Sequence, residues 1–298
     1  MEQFFSLRLA PLSRRRNWNA TRAVAYAGGL KLEVRFKDRT RKRYNHSKKD
    51  RPLAVLVCGT RDTPEEFAKN RDGAEKRKDA CVGYSVTIAL PHELATELMT
   101  DTAAAIGNKV QEQYRVPSLW ALHGPSKDGD ERNYHLHGIF GTRDASGKKV
   151  RTVGRREFLI WLRQMTCELI HSALDTVGMP EAKACWDHRS YKTRGITMEP
   201  MVHLGPALTH ISRRDPHAGI PEITYNETVR NLGAEIEEVE AEIKNYSTLV
   251  PSPAEGSEVN TVEGILERFE AQLAPSALDN LITRLEALQT HLRRPDVE

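Results

Sequence analysis

The most constraining feature of this sequence is a strand–turn–strand pattern that carries three histidines. Two short apolar runs, Leu119 to Leu122 and Leu136 to Phe140, flank a turn rich in Gly, Pro, Asp and Lys, which predicts two strands joined by a loop. Side chains on a strand alternate between its two faces, so His135 and His137 are predicted to share one face. With His123 on the neighbouring strand, three imidazoles could converge on one divalent ion and leave one side of the ion open.

A less specific interpretation of these histidines stands beside the first. A histidine on a strand is usually packed or solvated, and the chain has 11 of them. The third histidine and the basic character of the chain around it favour a metal site. The turn also carries Asp128, Asp130 and Glu131, and the sequence leaves open whether these solvate the turn or orient the imidazoles.

Composition narrows the class of protein. The 298 residues suffice for one large domain or two ordinary ones, and a hydrophobic content of 39% is enough for a buried core. No apolar run approaches the roughly 20 residues that a membrane helix needs, and we expect no signal peptide. The four cysteines show no CxxC spacing, which predicts free thiols in a reducing compartment. We therefore expect a cytoplasmic location.

Charge is distributed unevenly along the chain. Residues 1–51 carry 15 Lys and Arg against 4 Asp and Glu, whereas residues 221–298 carry 6 against 16. A basic body with an acidic tail predicts a polyanion-binding domain followed by an interaction segment. Tyr44 and His46 interrupt a basic run, which favours nucleic acid over a merely solvated loop because bases stack on such rings. The basic residues predicted to contact DNA are Arg14, Arg15, Arg16, Arg22, Lys42, Arg43, Arg189, Lys192 and Arg194.

The order of predicted elements indicates an α+β fold. Strands are predicted near residues 4–9, 30–36 and 84–90, and residues 53–58 are either a buried strand or the core turn of a helix. Amphipathic helices are predicted at 91–114 and 155–177. This order predicts an antiparallel central sheet covered by helices within a domain of residues 1–220. Residues 221–298 are predicted to be a helical, coiled-coil-like tail, compatible with a helical hairpin or a dimer arm.

Four stretches of sequence carry a resemblance to a known family. ATRAVAYAGG resembles a Ser/Ala-rich helix that ends in Ala-Tyr, and TIALPHEL resembles a strand followed by Leu-Pro-x-Glu-Leu. ALHGPSKDGDERNYHLHGIF resembles a block of three histidines, and DHRSYKTRGITMEPMVHLG resembles a closing Asp-His-Arg block. Together they span about residues 4–210, in the order found in the MobA/MobL conjugative relaxases, which are MOBQ-like members of the His-hydrophobe-His endonucleases.

This resemblance implies a mechanism and a set of partners. His123, His135 and His137 would bind Mg²⁺ or Mn²⁺, and Tyr26 would attack a DNA phosphate to give a 5′-phosphotyrosine link and a free 3′-hydroxyl. Reversal of the attack would reseal the strand. The implied partners are single-stranded DNA at an origin of transfer, accessory relaxosome proteins, and coupling or type IV secretion proteins. The tail would be an arm for one of these or a self-association element.

Two positions depart from the family's pattern. Relatives often carry a carboxylate that orients a metal-binding histidine, and Thr87 stands at that position here, so Asp128, Asp130 or Asp187 would have to replace it. Relatives usually have a basic residue after the tyrosine, whereas Ala27 follows Tyr26. Tyr44 is therefore kept as the alternative nucleophile.

Other functions use similar residues. A rolling-circle replication initiator or a transposase has the same histidine pair, but usually places its tyrosine after the histidines. A metal-stabilised DNA-binding accessory protein would need no nucleophile at all. A zinc hydrolase of small substrates is disfavoured by the basic N-terminal half.

Overall fold

A computed structural model describes residues 5–35, 41–47, 51–127, 130–194, 201–202, 204–215, 217–249, 280 and 282–288. The chain divides into two compact units, Met1–His188 and Arg189–Glu298. The division into functional parts at position 220 stays a prediction, because a packing boundary does not define where an activity ends. No helix among the described residues is both long enough and apolar enough to span a membrane.

The elements follow one another in a mixed α+β order, as the sequence predicts. Residues 53–58 were predicted to be either a strand or a helix turn, and Ala54–Cys58 form a strand. Two single-turn 3-10 helices lie at Arg14–Arg16 and Lys192–Arg194. The strands are β1 Leu7–Ser13, β2 Lys31–Arg35, β3 Arg41–Asn45, β4 Ala54–Cys58, β5 Cys81–Leu90, β6 Ser118–His123 and β7 Tyr134–Gly141. The helices are α1 Ala20–Ala27, α2 Pro64–Ala74, α3 Thr96–Tyr114, α4 Arg156–Thr176, α5 Pro180–Ala184, α6 Gly205–Arg214 and α7 Pro221–Leu249.

An antiparallel five-stranded sheet organises the first unit, in the order β1-β5-β7-β6-β4. The two histidine-bearing strands, β6 and β7, are therefore interior strands of the sheet. Strands β2 and β3 form a separate two-stranded antiparallel ribbon. The predicted antiparallel central sheet is confirmed.

Each face of the sheet packs against its own pair of helices. Trp120, Leu136 and Phe140 belong to a core with α3 and α4. Ala121 and Ile139, the neighbours that alternate with them, belong to a second core with α1 and α2. The period of two along β6 and β7 thus divides their side chains between two hydrophobic cores, and the histidines fall on the α1 face.

The described part of the second unit is helical. Along α7, Val229 and Ile236 are buried, and Leu285 and Leu288 from residues 282–288 pack against them. This contact between two helical stretches of one chain favours the helical hairpin over the dimer arm. The apolar residues at 243, 246, 278, 281 and 292, which continue the helical spacing of this tail in the sequence, lie outside the described side chains.

Candidate active site

The pairing register of β6 and β7 brings the three histidines together. His123 lies directly opposite His135, and Ala121 lies opposite His137. The centroids of the three imidazole rings are 5.5 Å apart for His123 and His135, 5.0 Å for His123 and His137, and 5.1 Å for His135 and His137. Three imidazoles from two adjacent strands therefore form a compact group on the α1 face of the sheet.

The spacing of the rings fits a single bound ion. A metal–nitrogen distance of about 2.1 Å puts each ring centroid about 3.3 Å from the ion, so three ligating imidazoles would be separated by about 4.6 to 5.3 Å. The observed separations of 5.0 to 5.5 Å are close to that range. Among the described residues, however, no three His, Cys, Asp or Glu side chains have their ligating atoms gathered for an ion as they are placed.

The hydrogen bonds of the ring nitrogens account for this difference. His135 Nδ1 lies 3.1 Å from the carbonyl oxygen of Asn133, an arrangement that leaves Nε2 as the ligating nitrogen. Burial lowers the pKa of His135, against an opposing effect of that carbonyl, and so favours the neutral imidazole that a metal requires. His123 Nε2 instead lies 2.7 Å from the carbonyl oxygen of Ala27. An ion bound through His123 Nε2 would have to replace that contact.

Thr87 lies beside His137, at the position where the resemblance drawn from the sequence implies a carboxylate. The register of β5 and β7 places the two residues opposite each other, and the Thr87 hydroxyl lies 3.4 Å from His137 Nδ1. A neutral hydroxyl at this distance can orient the ring, but more weakly than a carboxylate would. Thr87 is thus one group that can orient the His137 ring.

The three acids have different surroundings. Asp130 is engaged by Arg132, whose side chain and backbone N–H donate to it at 2.9 to 3.1 Å, and these bonds hold the pKa of Asp130 below its usual value. Asp187 follows Trp186 near the end of the first unit. Asp128 lies outside the described residues. A role of Asp130 or Asp187 in orienting an imidazole stays a prediction.

Tyr26 is carried to the histidines by helix α1. This helix is built from small residues, and Ala20, Ala23, Val24, Ala25 and Ala27 are all buried. The Tyr26 side chain remains 37% exposed on the open side of the helix. Its ring centroid lies 5.6 Å from that of His137 and 5.5 Å from that of His46, with edge-to-face geometry in both cases. The phenol therefore stands between the histidine group and the end of β3.

Tyr44, the alternative nucleophile, is placed differently. Its ring packs, half-buried, against the core that contains α1 and α2. Its hydroxyl accepts a hydrogen bond of 3.1 Å from Asn19 Nδ2, while Asn19 Oδ1 caps α1 by accepting from the N–H of Arg22. Tyr44 thus supports the capping residue of the helix that carries Tyr26.

Asp72, which the sequence interpretation missed, holds the start of the same helix. This buried α2 carboxylate accepts from the backbone N–H groups of Ala20 and Thr21 at 3.0 and 2.9 Å, and from the Thr21 hydroxyl at 2.6 Å. Such caps satisfy backbone donors that a helix leaves unpaired. Nothing local in the sequence marks Asp72, because its partners lie about 50 positions earlier.

Arg8 was also missed. It stands opposite Thr87, which in turn stands opposite His137, so the three residues form one row across β1, β5 and β7. Neighbouring strands are about 4.8 Å apart, which puts the long Arg8 side chain within reach of a ligand held at the histidines. The sequence did contain a sign of this position, because Arg8 alternates with Leu7 and Leu9 in a predicted strand. In the structure Arg8 is exposed.

Comparison with known proteins gives the family of this site. The model of the MobA/MobL family matches residues 19–214, a stretch that includes α1, the sheet strands β4–β7 and all three histidines. The chain belongs to the MobA/MobL family. Mobilization protein MobL of Acidithiobacillus ferridurans is 27% identical over 252 residues, which cover 70% of this chain and 64% of MobL.

Two further comparisons show similarity to this MobA/MobL protein over smaller parts of its length. The conjugal transfer protein TraA of Agrobacterium fabrum is 28% identical over 197 residues, covering 57% of this chain and 17% of TraA. A solved structure from work on vancomycin resistance transfer in Staphylococcus aureus has a similar fold, with a TM-score of 0.50 and 17% identity over 63% of this chain and 100% of that one. The chain thus spans 64% of MobL and 17% of TraA.

The basic residues of this MobA/MobL chain that were predicted to contact DNA have different surroundings in the structure. Arg14 is used inside the protein, because its guanidinium donates to the carbonyl oxygens of Asp72, Glu75 and Arg77. Arg43 is paired with Glu33 at 2.7 Å, and this pairing raises the pKa of Arg43.

The other basic residues predicted to contact DNA are at the surface of the first unit or belong to the second unit. Arg15, Arg16 and Lys42 are exposed, and Arg22 is partly exposed. Lys42 donates to Asn17 Oδ1. The second unit contains Arg189, Lys192 and Arg194. Their predicted contacts with DNA stay predictions.

Proposed function

We propose that this MobA/MobL protein nicks and rejoins one DNA strand at an origin of transfer, with Tyr26 as the nucleophile. The observation that carries the proposal is the position of the Tyr26 ring, 5.6 Å from that of His137 in a group of three imidazoles. A partly exposed phenol beside a metal-type histidine group is an arrangement suited to covalent phosphoryl transfer. The names of the relatives, a mobilization protein and a conjugal transfer protein, support the same process.

The residues that would hold a divalent ion, Mg²⁺ or Mn²⁺, are His123, His135 and His137. When bound, the ion supplies a Lewis acid that withdraws charge from the phosphate oxygens. Thr87 orients His137, and the carbonyl of Asn133 orients His135. Arg8, in the same cross-strand row as Thr87, is placed to contact a phosphate oxygen.

The covalent chemistry belongs to Tyr26. Its phenolic oxygen attacks the scissile phosphorus, and the bond between phosphorus and the 3′ oxygen breaks as the new bond forms. The proton lost by the phenol is balanced by the proton that the departing 3′-hydroxyl gains. Because one phosphodiester is exchanged for another, the 3′-hydroxyl can later attack the phosphotyrosine and reseal the strand. Asp72 and Asn19 keep α1, and with it Tyr26, in place.

The setting of this reaction is part of the proposal. A relaxase acts in the cytoplasm on a strand exposed at the origin, and it works with accessory DNA-binding proteins and with the coupling and secretion proteins that export the strand. The acidic stretch of residues 221–298 is the segment we assign to such partners or to self-association. The basic residues of the first unit provide the affinity for the DNA backbone.

A covalent-adduct assay tests the proposal. The full chain is incubated with Mn²⁺ and single-stranded oligonucleotides that tile the transfer origin of its own plasmid or element, and adducts are resolved on denaturing gels. We expect an adduct that disappears on chelation and falls more than 1000-fold in Tyr26→Phe, about the effect of losing a catalytic nucleophile. Tyr44→Phe is the matched control, because it removes a hydroxyl from the same region but keeps the adduct.

Each other result argues against the proposal. An adduct that survives in Tyr26→Phe and is lost in Tyr44→Phe moves the nucleophile to Tyr44. An adduct formed only with sequences from a replication origin indicates a rolling-circle initiator. Binding to the origin without any adduct indicates an accessory DNA-binding protein.

A further inference from the structure

Helix α1 presents a narrow exposed stripe beside the histidine group. Within this fully described helix, every residue except Arg22 and Tyr26 is buried. The two are four positions apart, so they lie on the same side of the helix, one turn from each other. Trp18, a further four positions back, precedes the helix and is half-buried against the core beneath it. The stripe Trp18–Arg22–Tyr26 leads from the start of α1 to the proposed nucleophile.

Arg22 is held over the indole ring of Trp18. The guanidinium carbon lies 4.4 Å from the ring centroid, well within the range of a cation–π contact. Arg22 also donates through Nη1 to the carbonyl oxygen of Asn17 at 3.0 Å. Asn17 adopts a left-handed conformation with φ of 54°, and Lys42 donates to its side chain. The indole on one face and the carbonyl at Nη1 therefore both hold the guanidinium in position.

We infer that Trp18 and Arg22 form a stacking site for one unpaired nucleobase of the DNA strand whose phosphate reaches Tyr26. This inference rests on the proposed function. Bases of single strands stack on aromatic rings and on guanidinium planes, and a guanidinium already placed over an indole loses little further entropy when a base is added. The chemical class of the ligand is a purine or pyrimidine ring outside a duplex.

The position of the site limits which nucleotide it takes. Four residues of an α-helix rise about 6 Å along the axis, so Arg22 lies about one nucleotide length from Tyr26. A base held there belongs to a nucleotide adjacent to the scissile phosphate or one removed from it. Holding that base would fix the path of the strand on one side of the nick and would position the phosphate for attack.

A purely electrostatic role for Arg22 makes a different prediction. A phosphate contact depends on charge, which lysine retains, whereas stacking depends on the planar guanidinium, which lysine lacks. A contact with phosphate would also be insensitive to removal of a base from the strand. The two roles therefore separate in an experiment that combines Arg22→Lys with abasic DNA.

The experiment is an abasic scan of the origin strand. Oligonucleotides with a single abasic residue at successive positions around the nick are titrated with the full chain, and Kd is measured by fluorescence anisotropy. For the native protein we expect one position within two nucleotides of the nick where base removal weakens binding about tenfold. In Arg22→Lys and in Trp18→Ala, base removal at that position should weaken binding less than twofold, while the penalties elsewhere persist.

The matched control is Arg156→Lys, an exposed arginine at the start of α4, which packs on the other face of the sheet. It should reproduce the native scan. A scan without any sensitive position near the nick overturns the inference, and so does a sensitive position that Arg22→Lys leaves unchanged. Adduct formation is measured on the same proteins. A native adduct with a flat scan rejects the stacking site alone, whereas failure to form any adduct rejects the proposed nickase.

Discussion

The buried carboxylate of Asp72 is expected to determine how firmly α1, the helix of the proposed nucleophile, is held. It accepts three hydrogen bonds at 2.6 to 3.0 Å, two of them from backbone N–H groups in the first turn of α1. In Asp72→Ala, those two N–H groups and the hydroxyl of Thr21 lose their acceptor at a site that is only 4% exposed.

The cost can be estimated from these contacts. Loss of a helix cap destabilises a protein by about 0.5 to 2 kcal/mol, and each buried donor left without a partner costs about 1 to 3 kcal/mol. Because the same bonds contribute to both figures, we expect Asp72→Ala to lower the free energy of unfolding by about 3 kcal/mol. Asp72→Asn keeps the shape and one acceptor oxygen, so its expected loss is about half as large.

Urea denaturation followed by circular dichroism measures these differences. Asp101→Ala is the control, since Asp101 is an exposed carboxylate on α3, and its expected effect is below about 0.5 kcal/mol. The nicking assay adds a second measurement. At a temperature where Asp72→Asn is fully folded, it should form the Tyr26 adduct more slowly than native protein. A loss under 1 kcal/mol in Asp72→Ala would refute this account of α1.

Two further substitutions test other contacts of the site. Thr87→Val removes the hydroxyl beside His137 and should weaken Mn²⁺ binding about tenfold, as measured by calorimetry. Thr87→Ser keeps the hydroxyl and should bind Mn²⁺ like the native protein. Equal affinities of the native protein and Thr87→Val would show that the hydroxyl does not orient the ring. Burial alone would raise the pKa of Glu75. Hydrogen bonds from Lys149, Arg143 and Thr142 together outweigh burial, so the pKa of Glu75 lies below its usual value of 4.5. Glu75→Gln should therefore cost about 1 to 2 kcal/mol at pH 7, and the difference should vanish as the pH falls through and below 4.5; a constant difference down to pH 3 would contradict this.

Local patterns predicted the histidine group well, for a physical reason. Alternation along a strand is a property of a few consecutive residues, so the shared face of His135 and His137 follows from their spacing alone. The helices show the same behaviour. The helix predicted at 155–177 is α4, Arg156–Thr176, because its buried stripe of Phe158, Leu162, Met165 and Ala173 recurs at helical spacing.

The supports of the site could not be predicted in this way. Tyr26 and His137 are separated by more than 100 positions, and Asp72 caps a helix that begins about 50 positions before it. Such contacts depend on the strand order β1-β5-β7-β6-β4, in which sequence neighbours are mostly not spatial neighbours. Tyr44 illustrates the consequence. Its place in a basic run of the sequence made it a candidate nucleophile, whereas in the fold its hydroxyl accepts a hydrogen bond from the side chain of Asn19.

The row across the sheet suggests how the site compensates for Thr87. Arg8, Thr87, His137, Ala121 and Val55 stand opposite one another on successive strands, and this row contains no acidic residue. A carboxylate at position 87 would bind His137 more strongly, but it would also lie next to Arg8 and attract its positive charge. With a neutral hydroxyl there, Thr87 itself would not offset the positive charge of Arg8 and of a bound ion on an incoming phosphate. In the proposed reaction, the chain would thus exchange a firmer hold on a bound metal for a more positive site around the phosphate that Tyr26 would attack.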